Sequence, residues 1–231
     1  MRCVRLILML SAVVVSYLTA PAETHYKPHI SVGAKGGVTY SKMSFYPSVK
    51  QSMLPGMIMG VTFSYAEEKI FGLTAELCVE QRGWKENFEE ANAQFEYSRR
   101  LTYIQLPLLT HISFGSSKFK GYVNLGPEVA YMIGNSISAN FDYRNYQSVA
   151  GFPVQNRMND QMGMDIKNKF DYGISGGLGM EYFVNRRHSV AIEGRFYYGL
   201  GNIYPDKKKD TFSASRGMSI QVTLGYNLRL K

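Results

Sequence analysis

Apolar and polar residues alternate along most of the chain beyond its N-terminal segment. Between Arg216 and Lys231, every second residue from Met218 to Leu230 is apolar or aromatic, and the residues between them are polar or glycine. A period of two indicates a β-strand with one apolar and one polar face. The same alternation predicts eight strands: Ile30–Tyr40, Gly56–Tyr65, Phe71–Trp84, Arg100–Phe114, Lys118–Ile133, Lys169–Val184, His188–Ile203 and Arg216–Lys231.

Short and long connections alternate strictly between these segments. An up-and-down barrel with an even number of strands has this pattern, and outer-membrane barrels place the short turns in the periplasm and the long loops outside. We therefore predict an all-β fold, an eight-stranded antiparallel up-and-down transmembrane β-barrel with short periplasmic turns and long extracellular loops. The short connections are 66–70, 115–117 and 185–187, and the long ones are 41–55, 85–99, 134–168 and 204–215.

Alternation alone leaves open which face meets lipid, because a soluble lipocalin-like barrel alternates equally well with its apolar face inward. The polar face here is rich in glycine as well as in charge, which suits a crowded interior. Aromatic residues lie near strand ends on the apolar face, as in interfacial girdles. Together with the loop asymmetry, these features favour a membrane barrel. The aromatic residues are Tyr40, Tyr65, Phe71, Phe114, Tyr131, Tyr182 and Tyr198.

Charged residues on the polar face are predicted to pair with one another inside the barrel. The lumen of an eight-stranded barrel is only wide enough to be filled by side chains. Matched charges there neutralise one another, so we expect a structural network and a closed lumen rather than a catalytic site. The predicted lumen charge network consists of Lys35, Glu76, Glu80, Arg82, Glu128, Glu181, Glu193, Arg195 and Arg229.

Two prolines fall within predicted strands. Because proline has no backbone N–H, it is unusual inside a paired strand. We predict that Pro107 and Pro127 lie on the outward phase of their strands. A bulge or a local break in pairing is expected at each.

The long loops carry aromatic and basic residues that are candidates for contact with a partner. Two arrangements are open for the aromatic and basic residues of the longest loop: they form a recognition surface, or they fold back and cap the barrel mouth. The three lysines of the last long loop contact lipid phosphates or an acidic partner, or form a solvated loop tip. The candidates are Tyr143, Arg144, Tyr146, Phe152 and Arg157 in the first group, and Lys207, Lys208 and Lys209 in the second.

The N-terminal segment has the pattern of a secretory signal peptide. Arg2 and Arg5 precede an apolar run from Leu6 to Leu18, and a small-x-small motif ends at Ala22. The run is too short for a stable transmembrane helix. The predicted organisation is a signal peptide over 1–22 and an outer-membrane β-barrel domain over 23–231.

Composition and charge narrow the function classes. The formal net charge of +8 falls to +6 when Arg2 and Arg5 leave with the signal peptide. This mildly basic balance, in an exported chain without a basic helix, argues against nucleic-acid binding. The histidines are not spaced as metal ligands usually are. No nucleophile, base and acid occur at positions that indicate a catalytic triad. We therefore expect no cofactor, no metal and no enzymatic activity.

Several stretches resemble the PorT-like outer-membrane β-barrel family of Bacteroidetes, and their order spans nearly the whole exported chain. The resemblance implies a barrel in the outer membrane. Family members named for PorT itself take part in type IX secretion and gliding-associated export. The stretches are AKGGVTYS from Ala34, ELCVEQRG (76–83), YIQLPLL (103–109), NLGPEVAY (124–131), FDYGISGGLGMEY (170–182) and EGRFYYGLGNI (193–203).

The expected function is that of a non-enzymatic integral outer-membrane barrel with a side-chain-filled lumen. It is expected to have a structural or interaction role in the envelope. An accessory role in protein secretion is one example of such a role. Expected partners are outer-membrane lipid, the barrel assembly machinery, and envelope or secretion-system proteins. Two alternatives stand beside this expectation: an outer-membrane enzyme or lipid-binding barrel, and a soluble periplasmic lipocalin-like carrier.

Overall fold

The computed structural model of the protein describes residues 28–66, 70–88, 94–154, 157–205 and 210–230. The predicted signal peptide and the loop residues Lys207, Lys208 and Lys209 lie outside these ranges. The described elements are β1 (His29–Tyr46), β2 (Gln51–Ser52), β3 (Leu54–Ala66), β4 (Phe71–Glu86), β5 (Tyr97–Gly115), β6 (Phe119–Ala139), a 3₁₀ turn (Tyr146–Ser148), α1 (Asp160–Gly163), β7 (Phe170–Phe183), β8 (His188–Gly199) and β9 (Ala214–Arg229).

Eight of the strands close into a ring in the order β1, β3, β4, β5, β6, β7, β8, β9 and back to β1. Every pair in the ring is antiparallel, and β2 adds a two-residue pairing beside the outer end of β4. The predicted eight-stranded antiparallel barrel is therefore confirmed, and each predicted segment forms a ring strand. Within the described ranges, no helix is both long and apolar enough to cross a membrane.

The apolar face of the sheet points outward and the polar face points into the barrel. On the inner face, Glu80 and Gln105 are completely buried. An apolar exterior around a charged interior is the arrangement of a membrane barrel. It rules out the lipocalin-like carrier, whose apolar face would line the interior. One exposed apolar residue from each ring strand illustrates the outer band: Val38, Val61, Leu77, Leu106, Leu125, Leu178, Ile192 and Leu224.

At the loop end, the strands continue beyond the apolar band, and on β1 the alternation inverts. On β1, Val38 and Tyr40 are exposed apolar residues on the outer face. Two residues further, the outer face carries Lys42, while Met43 and Phe45 are buried on the inner face. A bilayer core needs only about 9–11 residues of a tilted strand. The inversion therefore marks where the barrel leaves the lipid and encloses a conventional apolar core.

A bulge in β6 helps to form this upper core. The pairing of β5 with β6 shifts register between Thr102 and Tyr103, leaving Ile133 as the extra residue in β6. A bulge changes which residues face inward. Beyond it, Ile137 and Ala139 pack against the buried cluster at the barrel mouth.

The two strand prolines interrupt the hydrogen-bonded ladder, as expected for a residue without an N–H. The β4–β5 pairing has a gap at Pro107, and the β5–β6 pairing has one at Pro127. Pro127 is exposed on the outer face, as predicted. The prediction for Pro107 is wrong, since this residue is buried on the inner face between the outward-facing Leu106 and Leu108.

Leu178 provides a test of the outward band, because it is 67% exposed between the aromatic residues near the two ends of β7. We expect Leu178→Arg to lower the free energy of unfolding in lipid vesicles by about 2–4 kcal/mol, the cost of a cation near the bilayer midplane. Guanidinium titration of the refolded barrel measures this. The matched control is Val184→Arg, exposed beyond Tyr182, with an expected cost of about 0–1 kcal/mol. Equal costs would contradict the depth assignment.

Candidate functional site

The lower part of the lumen is crossed by an ion-paired cluster. Arg195 on β8 donates to both carboxylate oxygens of Glu76 on β4, at 2.7 and 2.8 Å. Since β4 and β8 are opposite each other in the ring, this pair spans the barrel. Lys35 Nζ lies 2.6 Å from Glu76, and Arg195 also contacts Glu193 at 2.9 Å. Two cations and two carboxylates thus balance in this lower layer.

A second cluster, the upper layer, is centred on Arg82. Its guanidinium donates to Glu80 and Glu128, and lies 3.6 Å from Asp171. On the opposite side of the lumen, the same guanidinium stacks over the ring of Tyr197, 3.8 Å from its centroid. All five side chains are buried. Because the charges are desolvated, this layer is stable only as an interlocked set.

The close packing of the lumen explains one inward glycine. Gly179 on β7 is paired with Tyr122 on β6, and the tyrosine ring lies directly over it. A Cβ at position 179 would lie 2.2 Å from Cζ of that ring. The small residue therefore makes room for a large neighbour in a narrow lumen.

Seven of the nine predicted network residues lie in the two layers, and the other two lie nearer the periplasmic opening. Glu181 is half-buried and accepts hydrogen bonds from Ser189 and from Asn227, the latter at 3.1 Å. The guanidinium of Arg229 lies 5.4 Å from the ring centroid of Phe183. These two predicted members therefore belong to the barrel opening and not to the ion-paired layers.

A cavity of about 100 Å³ opens from the periplasmic end and stops at the lower layer. Its lining includes Lys35 and Glu76 at the inner end and Arg187 and Arg229 at the opening. Such a volume holds a few water molecules. The cavity is a shallow vestibule beneath the charged layers.

At the opposite end, the loops fold over the mouth as an apolar cap. Phe45 contacts Trp84 edge to face at 5.3 Å and Phe212 at 5.1 Å between ring centroids. A second aromatic group, including Phe95 and Phe152, packs at a centroid distance of 5.1 Å. The buried members of the cap cluster are Met43, Phe45, Val49, Trp84, Phe95, Tyr97, Leu101, Tyr103, Ala130, Met132, Phe152, Met162, Ile203, Tyr204 and Phe212.

The α1 segment of the longest loop is the part that enters the mouth. Met162 is fully buried, and its carbonyl accepts a hydrogen bond from the Tyr97 hydroxyl at 2.9 Å. The Tyr204 hydroxyl donates to the carbonyl of Gln161 at 2.8 Å. Arg99 donates to the carbonyl of Met164 at 2.6 Å. Side chains rising from the barrel wall and from a second loop thus hold this loop in place.

Glu86, at the outer end of β4, connects the cap to the strand. Its carboxylate accepts from Trp84 Nε1 at 3.0 Å, from Gln161 Nε2 at 3.0 Å and from Arg157 at 2.7 Å. Burial raises the pKa of Glu86 above its ordinary value despite these donors. Burial also raises the pKa of the Tyr204 hydroxyl, to about 12. Burial in the cap thus opposes the ionisation of both groups.

Four of the five predicted contact residues of the longest loop lie in or against the cap. Phe152 is buried in it, and Arg157 binds Glu86. The Tyr143 ring packs against Tyr97 at 5.7 Å, and the Tyr146 ring packs against Phe152 at 5.5 Å. The exception is Arg144, which is exposed. Of the two arrangements open for this loop, the structure has the one that folds back over the mouth.

Several polar side chains that contact the charge network were not among its predicted members. Asp171, Gln105 and Ser175 all lie on the inward phase, so the alternation itself indicated their direction. Tyr197 was missed because an aromatic residue on the polar phase does not resemble a charged partner. In the described part of the chain, no group of three or more histidine, cysteine or acidic side chains is placed to hold a metal ion.

Comparisons with known proteins point to one family. A model of the family described as outer membrane protein beta-barrel domain matches residues 22–204. No curated protein matches the chain.

Similar solved structures include OprG from Pseudomonas aeruginosa, at 11% identity and a TM-score of 0.48, covering 87% of this chain and 95% of that one. Neisserial surface protein A has 14% identity and a TM-score of 0.44, with 87% and 98% coverage. The N-terminal β-barrel domain of Pseudomonas aeruginosa OprF has 10% identity and a TM-score of 0.42, with 87% and 97% coverage.

The lower layer yields a stability prediction. Arg195→Leu leaves Glu76 and Glu193 buried with one fewer cation, so we expect a loss of about 3–5 kcal/mol in the free energy of unfolding. Guanidinium titration in vesicles measures the change. Arg100→Leu, which removes an exposed arginine from the outer face of β5, is the control and should cost less than about 1 kcal/mol. A loss for Arg195→Leu no larger than the control would show that the pair does not stabilise the barrel.

Glu86 yields a pH prediction. Because its pKa is raised in the folded cap, its contribution to stability is fully present below the ordinary pKa and is lost as pH rises through the raised value. Proteolysis of the loop between β6 and β7 should therefore become faster from about pH 4.5 upward. Glu86→Gln, which cannot ionise, should flatten this dependence. An unchanged pH profile in the variant would assign the effect to another group.

Proposed function

The chain belongs to the outer membrane protein β-barrel domain family, and from that premise we propose that it is a non-enzymatic, non-conducting barrel that acts through its surfaces. Its place is the outer membrane, as the family requires. Residues 1–22 would be the signal peptide that directs its export. Its closed lumen leaves the rims, the loops and the lipid-facing wall as the parts that meet other molecules.

The observation that carries the proposal is that side chains from opposite strands meet across the lumen. The Arg195–Glu76 pair and the stacking of Arg82 on Tyr197 each join β4 to β8. An ion passing through would have to separate buried, mutually bonded charges, at a cost of several kcal/mol. The cap covers the same axis at the outer end. These features support a barrel that does not conduct.

The arrangement of the lumen acids supports a non-enzymatic role. General acid–base or nucleophilic catalysis needs a group within reach of a substrate. The acids of the two layers are buried and engaged with arginine or lysine: Glu76, Glu80, Glu128, Asp171 and Glu193. They therefore serve to hold the barrel together, and the alternative of an outer-membrane enzyme gains no support from them.

The narrower assignment, to the PorT-like family of Bacteroidetes, rests on the ordered sequence motifs. Under this proposal, the barrel assembly machinery inserts the chain and its surfaces then contact envelope proteins. Among the possible contacts with envelope proteins, the resemblance favours an accessory role in protein secretion. The exposed residues of the loops and of the periplasmic turns, such as Arg144 and Arg186, are where such contacts would form.

Planar-bilayer recording tests the non-conducting barrel. We expect the refolded full chain to give no stable current steps, whereas an open porin inserted in the same membrane conducts. Folding and insertion are verified independently by a heat-dependent shift on a gel. Regular current steps from protein that passes this check would overturn the closed lumen.

The non-enzymatic part has its own readout. Refolded protein is incubated with outer-membrane lipids, and the lipids are then analysed by mass spectrometry. We expect an unchanged lipid profile relative to vesicles without protein. A new lipid product that disappears in a Glu80→Gln variant would instead favour an enzyme, because this substitution alters a lumen acid without removing its volume.

A further inference from the structure

Basic residues mark the outer border of the lipid-facing band. On β9 the outward residue Arg216 follows Ala214 and precedes the apolar Met218 and Ile220. At the start of β7, Lys169 precedes the exposed Phe170. The same order appears on other strands, with Lys42 on β1 and Arg100 on β5 lying just beyond the apolar positions. This border is the level at which lipid headgroups meet the barrel.

Three cations share one groove at this level. Lys167, Lys169 and Arg216 line it together with asparagines of the adjoining loops. Among the described residues, the lining of this groove contains no acidic side chain. Its apolar part consists of exposed residues at the top of the band: Tyr131, Phe170, Tyr172 and Leu200.

The backbone that presents the two lysines is fixed. Asn168, between them, donates its backbone N–H to the carbonyl of Ile203 at 3.3 Å and its side-chain amide to the carbonyl of Asn202 at 2.8 Å. The carbonyl of Lys169 accepts from the N–H of Met132 at 2.8 Å. Both lysine side chains therefore leave from an anchored segment at the membrane surface, rather than from a loop tip.

The third cation shows unused hydrogen-bonding capacity. Arg216 is half-buried on the outer face of β9, and its Nε is buried without a hydrogen-bond partner within the described part of the chain. Arg216 also lines the groove, and a guanidinium binds phosphate oxygens through strong charge-assisted hydrogen bonds. The groove thus combines three positive charges with an apolar side.

We propose that this groove binds a phosphate-bearing lipid of the outer leaflet. The phosphate is held by Lys167, Lys169 and Arg216, and the acyl chains lie against Phe170, Tyr172 and the apolar band below. A lipid fits better than a soluble anion, because the apolar side of the groove is continuous with the surface that lipid chains cover. The proposal rests on the outer-membrane location and is independent of whether the lumen conducts.

Native mass spectrometry of the refolded full chain tests the groove, with diphosphoryl lipid A as the probe. The test variant is Lys167→Gln/Lys169→Gln/Arg216→Gln. The matched control is Lys118→Gln/Arg186→Gln/Arg187→Gln, which removes three exposed cations from the periplasmic turns. A heat-shift gel verifies folding of each protein. A dephosphorylated lipid A and inorganic phosphate serve as separate arms.

We expect the natural chain and the turn variant to retain diphosphoryl lipid A, and the groove variant to lose binding by about fivefold for each charge removed. The dephosphorylated lipid should bind weakly to all three proteins, and inorganic phosphate should not displace the lipid. Equal retention by the groove variant would overturn the site. Displacement by inorganic phosphate at comparable concentration would overturn the lipid assignment and leave a soluble-anion site.

Discussion

The structure depends on one constraint, which is that backbone N–H and C=O groups have no water to bond with inside a bilayer. Each strand must therefore be paired on both sides, and a sheet in lipid must close. Here β1 pairs with β9 from Ser31 to Tyr46, and this long antiparallel ladder removes the last open edge. The up-and-down order of the chain follows, since each strand need only pair with its neighbour in sequence except at this closing ladder and beside the small β2.

Closure with eight strands then determines what the lumen contains. The ring is narrow enough for side chains from opposite strands to meet, so inward positions cannot be chosen independently. A long arginine on one strand requires an acceptor on the strand across from it, as Arg195 has in Glu76. A large ring such as that of Tyr122 requires a glycine beside it. These contacts across the lumen explain why the polar face contains both charged residues and glycines.

Much of this fold was predictable from the sequence. The period of two within each strand and the alternation of short and long loops are both visible along the chain, without knowledge of contacts between distant residues. The lumen members were predictable as a set, since their phase places them inside. Which lumen side chains contact one another was not predictable, because these contacts depend on how closure of the barrel places the strands across the lumen. Asp171 and Tyr197 meet Arg82 only because closure of the ring places β7 and β8 across the lumen from β4. Pro107 was predicted on the wrong face, although it shares the phase of the inward-facing Gln105 two residues earlier.

The cap was the least predictable part, although one signal for it exists in the sequence. Met43 and Phe45 are apolar on the phase that is polar lower on the same strand, and Lys42 is charged on the phase that is apolar there. Such an inversion marks a change of environment along the strand. Below it the outer face meets lipid, and above it the outer face meets water.

The inversion on β1 therefore marks the level of the membrane surface. The inner face becomes an apolar core at the same height at which the outer face acquires cations such as Lys42 and Arg216. A ligand bound to the outer wall at this height touches charge above and apolar surface below. It must then be amphipathic.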